Sequence, residues 1–150
     1  MQKYKLLIFV SIFILSISSL FGQKIHKKNV PSIIVNSFNQ QFPRAYDVEW
    51  KMEKDVYKVE FETGLFRTDH TVWYDNSSNM IKHKAEISKR DLPDSVLNML
   101  NDDYEGYKVS DVKMISQDGV STYTMELKRF DEEWKVNISS DGRLLSKIPD

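Results

Sequence analysis

Two histidines near the middle of the chain are the residues best suited to acid–base or metal chemistry. The alternation of apolar and polar residues around them predicts a hairpin in which His70 lies opposite Ala85 and His83 lies opposite Val72. The two imidazoles would then be diagonal neighbours on one face of a sheet. A metal site needs three or four convergent ligands, and the nearest carboxylate, Asp69, points to the other face. The pattern predicts two half-buried, hydrogen-bonded imidazoles, with a small-ligand or metal-sensing site as the alternative.

A tryptophan on the same strand as the first histidine is the strongest candidate for a binding residue. Val72 and Tyr74 are the alternate residues of this strand that face the core, so Trp73 between them lies on the opposite face. An aromatic side chain among mixed charges is typical of a binding hot spot, and burial by a second sheet or a second subunit is the alternative. The charged residues expected around it on that face are Arg67, Asp69, Lys58, Glu60 and Lys82.

No residue pattern in the chain is typical of an enzyme. Cysteine is absent, and only five glycines occur among 150 residues, none of them in a phosphate-binding run. The serines lie in predicted turns or at the start of helices, outside any Gly-x-Ser-x-Gly motif of the kind that exposes a nucleophile. The sequence therefore predicts a protein without catalytic residues and without a cofactor.

Residues 1–22 have the composition of a secretory signal peptide. A positively charged start precedes the uncharged, apolar run from Leu6 to Gly22, which is the order found in such signals. We expect cleavage near Gly22, with cleavage after Ser18 or Ser19 and an uncleaved membrane anchor as alternatives. Cleavage would give a periplasmic or secreted protein that keeps no stable membrane anchor.

The charge of the remaining chain argues against nucleic acid as a partner. The predicted signal contains two of the 21 basic residues and none of the 22 acidic ones, so the mature chain carries 19 − 22 = −3 with histidine neutral. Basic and acidic residues alternate along it, whereas nucleic-acid binding requires a basic patch. An unknown protein or peptide of the cell envelope is the partner class that we expect.

The elements that must position these residues are predicted by a repeat. The segment from Val30 to Phe42 returns as the segment from Leu92 to Tyr104. In both segments the second residue is proline, and the fifth, ninth and thirteenth residues are apolar. This spacing forms one stripe on a helix. Four short stretches of alternating apolar and polar residues follow each segment, as in strands with one wet face. The predicted fold class is α+β, with two tandem repeats that are each a helix packed on a four-stranded antiparallel sheet. The predicted boundaries are a polar leader at 23–29, repeat 1 at 30–88 and repeat 2 at 89–150.

The order of these motifs resembles the PepSY-like, beta-lactamase-inhibitor-like family of periplasmic proteins. In repeat 1 the resemblance is carried by Val30, Pro31, Phe38, Phe42, Pro43, Trp50, Tyr57, Val59, Phe61, Tyr74 and Asp75, and in repeat 2 by Leu92, Pro93, Tyr104, Tyr123, Met125, Leu127 and Asp141-Gly142. The resemblance implies a small secreted module with helices on an antiparallel sheet, and a binding or inhibitory role. The first copy departs from the pattern in its last hairpin, where Asn79 replaces a glycine.

Overall fold

Within residues 22–150, nine strands form one antiparallel sheet, and two α-helices pack on it. The structure, a computed structural model, describes residues 22–150. The strands are β1 Gln23–Ile25, β2 Tyr46–Glu53, β3 Val56–Thr63, β4 Thr68–Tyr74, β5 Met80–Glu86, β6 Lys108–Gln117, β7 Val120–Arg129, β8 Glu132–Ser139 and β9 Leu144–Pro149; the helices are α1 Ser32–Gln41 and α2 Asp94–Asp103. Strands adjacent in the chain are adjacent in the sheet, from β1 to β9. The predicted signal peptide lies outside the described residues, apart from Gly22.

The first helix is held on the sheet by the apolar stripe that its sequence predicts. Ile34 and Phe38 lie one turn apart and are buried, and the ring of Phe38 meets Trp50 edge-on at 5.3 Å between centroids. Full burial of such a side chain stabilises a fold by about 1.5–3 kcal/mol. The helix ends at Phe42, where φ is −128°, and Pro43 prevents its continuation.

Both helices cover the same face of the sheet. α2 buries Val96 and Leu100 against strands of the second half. One row of successive Cα partners crosses both apolar clusters, and its members are Phe61, His70, Ala85, Met114 and Tyr123. Side chains of such a row lie on one face, so the two clusters share that face. Within residues 22–150, neither helix has the length and apolar character needed to cross a membrane.

The sequence left open whether the two predicted four-stranded sheets join, and in the structure they are part of one nine-stranded sheet. The order of one helix followed by four strands does occur twice, but β5 pairs directly with β6, from Lys82 opposite Gln117 to Glu86 opposite Lys113. The predicted leader also contributes a strand to the sheet, because its residues Gln23–Ile25 form β1, which pairs with β2. Both additions have the same physical cause, since an open sheet edge leaves backbone N–H and C=O groups without partners.

The opposite side of the sheet, called the helix-free face below, is largely covered by polar and charged side chains. They alternate along each strand with the residues of the core. On the central strands β4 and β5 this face presents Thr71, Trp73, Lys82 and Lys84.

Candidate binding surface

Trp73 lies on the helix-free face, one residue before the end of β4. Its Cα partners are Lys58 on β3 and Lys82 on β5, and their ammonium groups lie 5.6 Å and 4.9 Å from the centroid of the indole ring. Such contacts contribute about 0.5–1 kcal/mol each at exposed sites. The indole Nε1–H donates a hydrogen bond to Glu53 Oε2 at 3.3 Å. The tryptophan is half-buried, and these three side chains fix the orientation of its ring.

Glu60 belongs to a row of alternating charges beside the tryptophan. Its carboxylate binds Lys51 at 2.6 Å and Lys58 at 2.9 Å, and Lys58 also reaches Glu53 at 3.2 Å. Burial alone would raise the pKa of Glu60, but the hydrogen bonds from the two lysines outweigh it and hold this pKa below its usual range. Surface ion pairs contribute only about 0–1 kcal/mol each, so the main effect of this row is to position Lys58 against the indole ring.

Arg67, which the sequence placed near Trp73, lies outside this surface. It occupies the turn before β4 with a φ of 55°, and its guanidinium donates two hydrogen bonds of 2.7 Å to the Glu62 carboxylate. That carboxylate raises the pKa of Arg67. The extended chain from Arg67 to Trp73 covers roughly 20 Å. Alternation correctly predicted the face for the residues of β4, but it carries no information about distance along the strand.

An open cleft adjoins the indole ring. Its volume is about 580 Å³, and its apolar wall is formed by Met52, Val56, Trp73 and Ile81. Lys82 also lines it. A cleft of this size and polarity can accept an aliphatic or aromatic side chain, while a few charged groups set its orientation.

Some residues of this surface were not identified from the sequence. Lys84 shares the parity of Lys82 on β5, so the alternation of that strand was a sufficient signal for it. Ile81 left no such signal. The register slips between the pairs Trp73–Lys82 and Tyr74–Met80, which leaves Ile81 unpaired next to the cleft. A bulge of this kind is not visible in a period-two pattern.

The two histidines lie together on the other side of the sheet, beneath α1. His70 Nδ1 and His83 Nε2 are 3.2 Å apart and share a hydrogen bond, and the Thr63 hydroxyl is 2.8 Å from His70 Nε2. The His70 ring stacks on Phe61 at 5.0 Å between centroids, and Phe42 lies edge-on to His83 at 5.6 Å. Burial lowers the pKa of both imidazoles, and the pKa of His83 is lowered further by His70.

This pair does not have the geometry of a metal-sensing site. Both nitrogens of His70 are already hydrogen-bonded, and no third ligand joins the pair within residues 22–150. The one group of three candidate ligands in that part of the chain consists of Glu126, Glu133 and Asp150. The Lys135 ammonium lies 3.1 Å from Asp150 and 3.9 Å from Glu126, so a lysine already supplies the positive charge there.

Two helices on one face of an antiparallel meander, with a charged face opposite, define a small two-layer α+β module. The sequence matches the beta-lactamase-inhibitor-like, PepSY-like family over residues 21–66 and again over 55–146. These overlapping matches cover most of the chain, and the protein belongs to this family. A comparison with curated proteins gives no match.

Solved structures of several Bacteroides proteins have the same fold. A DUF2874 family protein from Bacteroides uniformis is similar with a TM-score of 0.65 and 17% identity, over 80% of this chain and 89% of that one. A BLIP-like protein from Bacteroides fragilis gives 0.62 and 18%, over 79% and 84% of the two chains. A Bacteroides eggerthii protein designated periplasmic gives 0.65 and 14%, over 80% and 88%. At these identities the likeness concerns the fold.

Proposed function

We propose that this protein is a periplasmic, non-enzymatic module that binds a protein or peptide through the helix-free face around Trp73. The observation that carries the proposal is the tryptophan itself, which is half-buried between two lysines and adjoins an apolar cleft. Binding hot spots are enriched in tryptophan, and they lie in desolvated pockets with charged groups at the rim. In this mechanism an apolar side chain of the partner enters the cleft and covers the indole ring, while the lysines and glutamates around it select the orientation.

An inhibitory or regulatory role is the form of binding that the relatives favour. The family is described as beta-lactamase-inhibitor-like, and the B. fragilis protein of the same fold is described as BLIP-like. A periplasmic location agrees with the signal-like N-terminal sequence and with the designation of the B. eggerthii protein. The lack of a nucleophile motif in the sequence supports binding without catalysis.

Pull-down from envelope extract tests the proposal with three forms of the mature chain: wild type, Trp73→Ala and Phe66→Ala. Phe66 is the matched control, because it is 97% exposed and lies in the β3–β4 turn, away from Trp73. Loss of a tryptophan hot spot weakens binding by about 2 kcal/mol or more, which is roughly 30-fold. We expect at least one protein that wild type and Phe66→Ala recover and that Trp73→Ala loses.

Thermal unfolding of all three forms shows whether each variant is folded. The recovered protein is then purified and titrated with wild type and Trp73→Ala, so that direct binding is measured. Equal recovery of every bound protein by all three folded forms would remove Trp73 from the binding surface.

A further inference from the structure

Two titratable rings lie beneath the last turn of α1, where the second half of the chain has a fixed charge. His83 is the Cα partner of Val72 on β4, and the residue in the same place on β9, opposite Val136, is Lys147. The Lys147 ammonium lies 4.2 Å from the ring centroid of Trp134. A lysine stays charged through the pH range in which histidine titrates. A change of pH in that range therefore alters the charge at this position under α1 and leaves the equivalent position under α2 unchanged.

The hydrogen bonds of the histidine pair leave room for one added proton. His70 Nδ1 and His83 Nε2 share one hydrogen at 3.2 Å, and the Thr63 hydroxyl, 2.8 Å from His70 Nε2, can donate or accept. With one proton added, His83 donates to His70 Nδ1, and His70 donates from Nε2 to the hydroxyl. With a second proton, both nitrogens between the rings carry hydrogen, and two donors face each other. The intact pair therefore binds at most one proton.

The side chains packed around the pair on the helix-covered face are uncharged. α1 has no charged residue, and Arg44 in the loop after it is exposed. β3 contributes Phe61 and Thr63, and β6 places Ser116 opposite His83. Within residues 22–150, none of these contacts supplies a negative charge that would balance a proton on the pair.

Acids do lie on the other side of the sheet. A cleft on the helix-free face, which His70 also borders, is lined by charged residues, and they are Asp47, Glu49, Glu60, Glu62, Asp69, Glu86, Lys84 and Lys113. Burial lowers the pKa of His70, and Asp69, the only one of these residues that raises it, does not offset this. Burial and the neighbouring His70 lower the pKa of His83. An added proton is therefore disfavoured while both rings are covered.

Phe42 covers the pair from the side of α1. It follows the last residue of the helix, and its ring centroid lies 5.6 Å from that of His83 and 4.7 Å from that of Phe61. The Tyr74 hydroxyl, which stays neutral because burial raises its pKa to about 12, donates to Gln41 Oε1 at 2.9 Å and holds the same turn. Displacement of this turn admits water to both rings, and each imidazole then binds its own proton in acid. The open pair therefore binds two protons, and the closed pair at most one.

We infer that acid releases the last turn of α1, from Phe38 to Phe42, and leaves α2 in place on the sheet. Above about pH 6.5 both rings are neutral in the open and the closed state, so the opening equilibrium does not depend on them. Below that pH the open state binds at least one more proton, and the equilibrium constant for opening rises about tenfold for each pH unit. Release uncovers Phe61, so acid exposes apolar surface in the first half. The inference does not rest on the proposed binding surface, which lies on the other face.

Amide hydrogen exchange of the mature chain, followed by NMR at about pH 6 and about pH 5, tests the inference. Protection factors are compared, because they remove the pH dependence of the exchange chemistry itself. The reporters are the amides from Phe38 to Phe42 in the first half and the matched amides from Leu100 to Tyr104 in the second. The measurement is made on wild type, on His70→Gln/His83→Gln and on the control His26→Gln, whose histidine is exposed.

We expect the protection factors of the α1 reporters to fall about tenfold over this pH unit in wild type, and those of the α2 reporters to stay within about twofold. His26→Gln should behave like wild type, and His70→Gln/His83→Gln should lose the difference between the two helices. Constant protection of α1, an equal loss in both helices, or an α1 loss that persists without the two histidines would each overturn the inference. The comparison of the helices within wild type decides the question even if the double variant does not fold.

Discussion

The imidazoles of His70 and His83 make the folded state sensitive to acid. Burial holds the pKa of both below its ordinary value, which is about 6.5 in an unfolded chain. As the pH falls through and below that value, the unfolded state binds more protons than the folded state, and the free energy of unfolding decreases. Above it both rings are neutral in both states, and their contribution to stability is constant.

Urea unfolding at a series of pH values around this window measures the effect. We expect wild type to lose stability toward acid, and His70→Gln/His83→Gln to have a flatter profile. His26→Gln is the control and should keep the slope of wild type, because His26 is exposed. A wild-type free energy of unfolding that stays level or rises toward acid would contradict this account of the pair.

Phe130 is held in a backbone conformation that costs stability. In the β7–β8 turn its φ is 56°, and its side chain is 92% exposed. The left-handed region costs an ordinary residue about 1–2 kcal/mol, whereas glycine adopts it freely at an entropic cost of roughly 0.5–1 kcal/mol. Phe130→Gly should therefore raise the free energy of unfolding by about 0.5–1 kcal/mol in urea titration.

Phe66→Gly is the matched control for this prediction. Phe66 is a similarly exposed phenylalanine in the β3–β4 turn, but the positive φ angles of that turn belong to Gly64 and Arg67. The control should be neutral or destabilising. A gain of the same size in both variants would show that the backbone conformation of Phe130 is not the cause.

Among the elements of residues 22–150, the two edge strands of the sheet both carry features that resist further pairing. β1 has only three residues and carries the exposed Lys24, and short or lysine-bearing edges resist further pairing. On β9 the Asp150 N–H donates to the Glu133 carbonyl at 3.1 Å. Because successive residues of a strand direct their backbone groups to opposite sides, the nitrogen of Pro149 faces the free edge, and proline has no N–H to offer there.

The equivalent position in the first half shows what Pro149 prevents. Ala85 lies opposite His70 on β5 as Pro149 lies opposite Trp134 on β9. β6 pairs with β5 at Ala85 and so extends the sheet. At the position where β5 has an alanine that can donate its N–H to the next strand, β9 has a proline that cannot.

Pro149→Ala should therefore increase self-association through the β9 edge. Sedimentation velocity over a range of protein concentrations measures this, and we expect a larger fraction of dimers and higher species than in wild type. Ser146→Ala is the control, because its N–H faces β8 and the free edge is unchanged. A Pro149→Ala protein that sediments like wild type at every concentration would show that Pro149 does not protect the edge.

The sequence predicted the helices and most strands because their apolar spacing is a local property. It did not predict β1 or the pairing of β5 with β6, since pairing is decided by which edges are open in the folded molecule. The first copy's last hairpin, where Asn79 replaces a glycine, is closed by the Asp75 carboxylate, which accepts hydrogen bonds of 2.8 Å from the backbone N–H groups of Ser77 and Asn79. Ser78, with a φ of 65°, takes the conformation that a glycine would favour.

The candidate site was predicted to the same extent and for the same reason. The alternation of residues along the strands correctly predicted that Trp73 lies beside Lys58 and Lys82, and that His70 lies next to His83. It misplaced Arg67, because the twist and length of a strand are not encoded in alternation. The cleft was not predictable, since its walls come from a bulge and from the ends of several strands.

For the whole molecule, the sheet separates an apolar side that stabilises the fold from a charged side that the helices do not cover. The proposed surface lies where the two halves of the chain join. Trp73 and Lys82 come from the first half, and Gln117 and Asp118, which line the same cleft, come from the second half. The continuous sheet is therefore a condition for the proposed binding surface.

The most direct test of the central claim, binding through the helix-free face, is the indole N–H region of a ¹H–¹⁵N spectrum recorded with and without the purified partner. Trp73 lies on the helix-free face and donates to Glu53, whereas Trp50 is buried on the helix-covered face and its Nε1 has no hydrogen-bond partner within the described chain. We predict that the Trp73 signal shifts or broadens on binding and that the Trp50 signal stays in place. A bound complex in which the Trp73 signal does not move would contradict the claim.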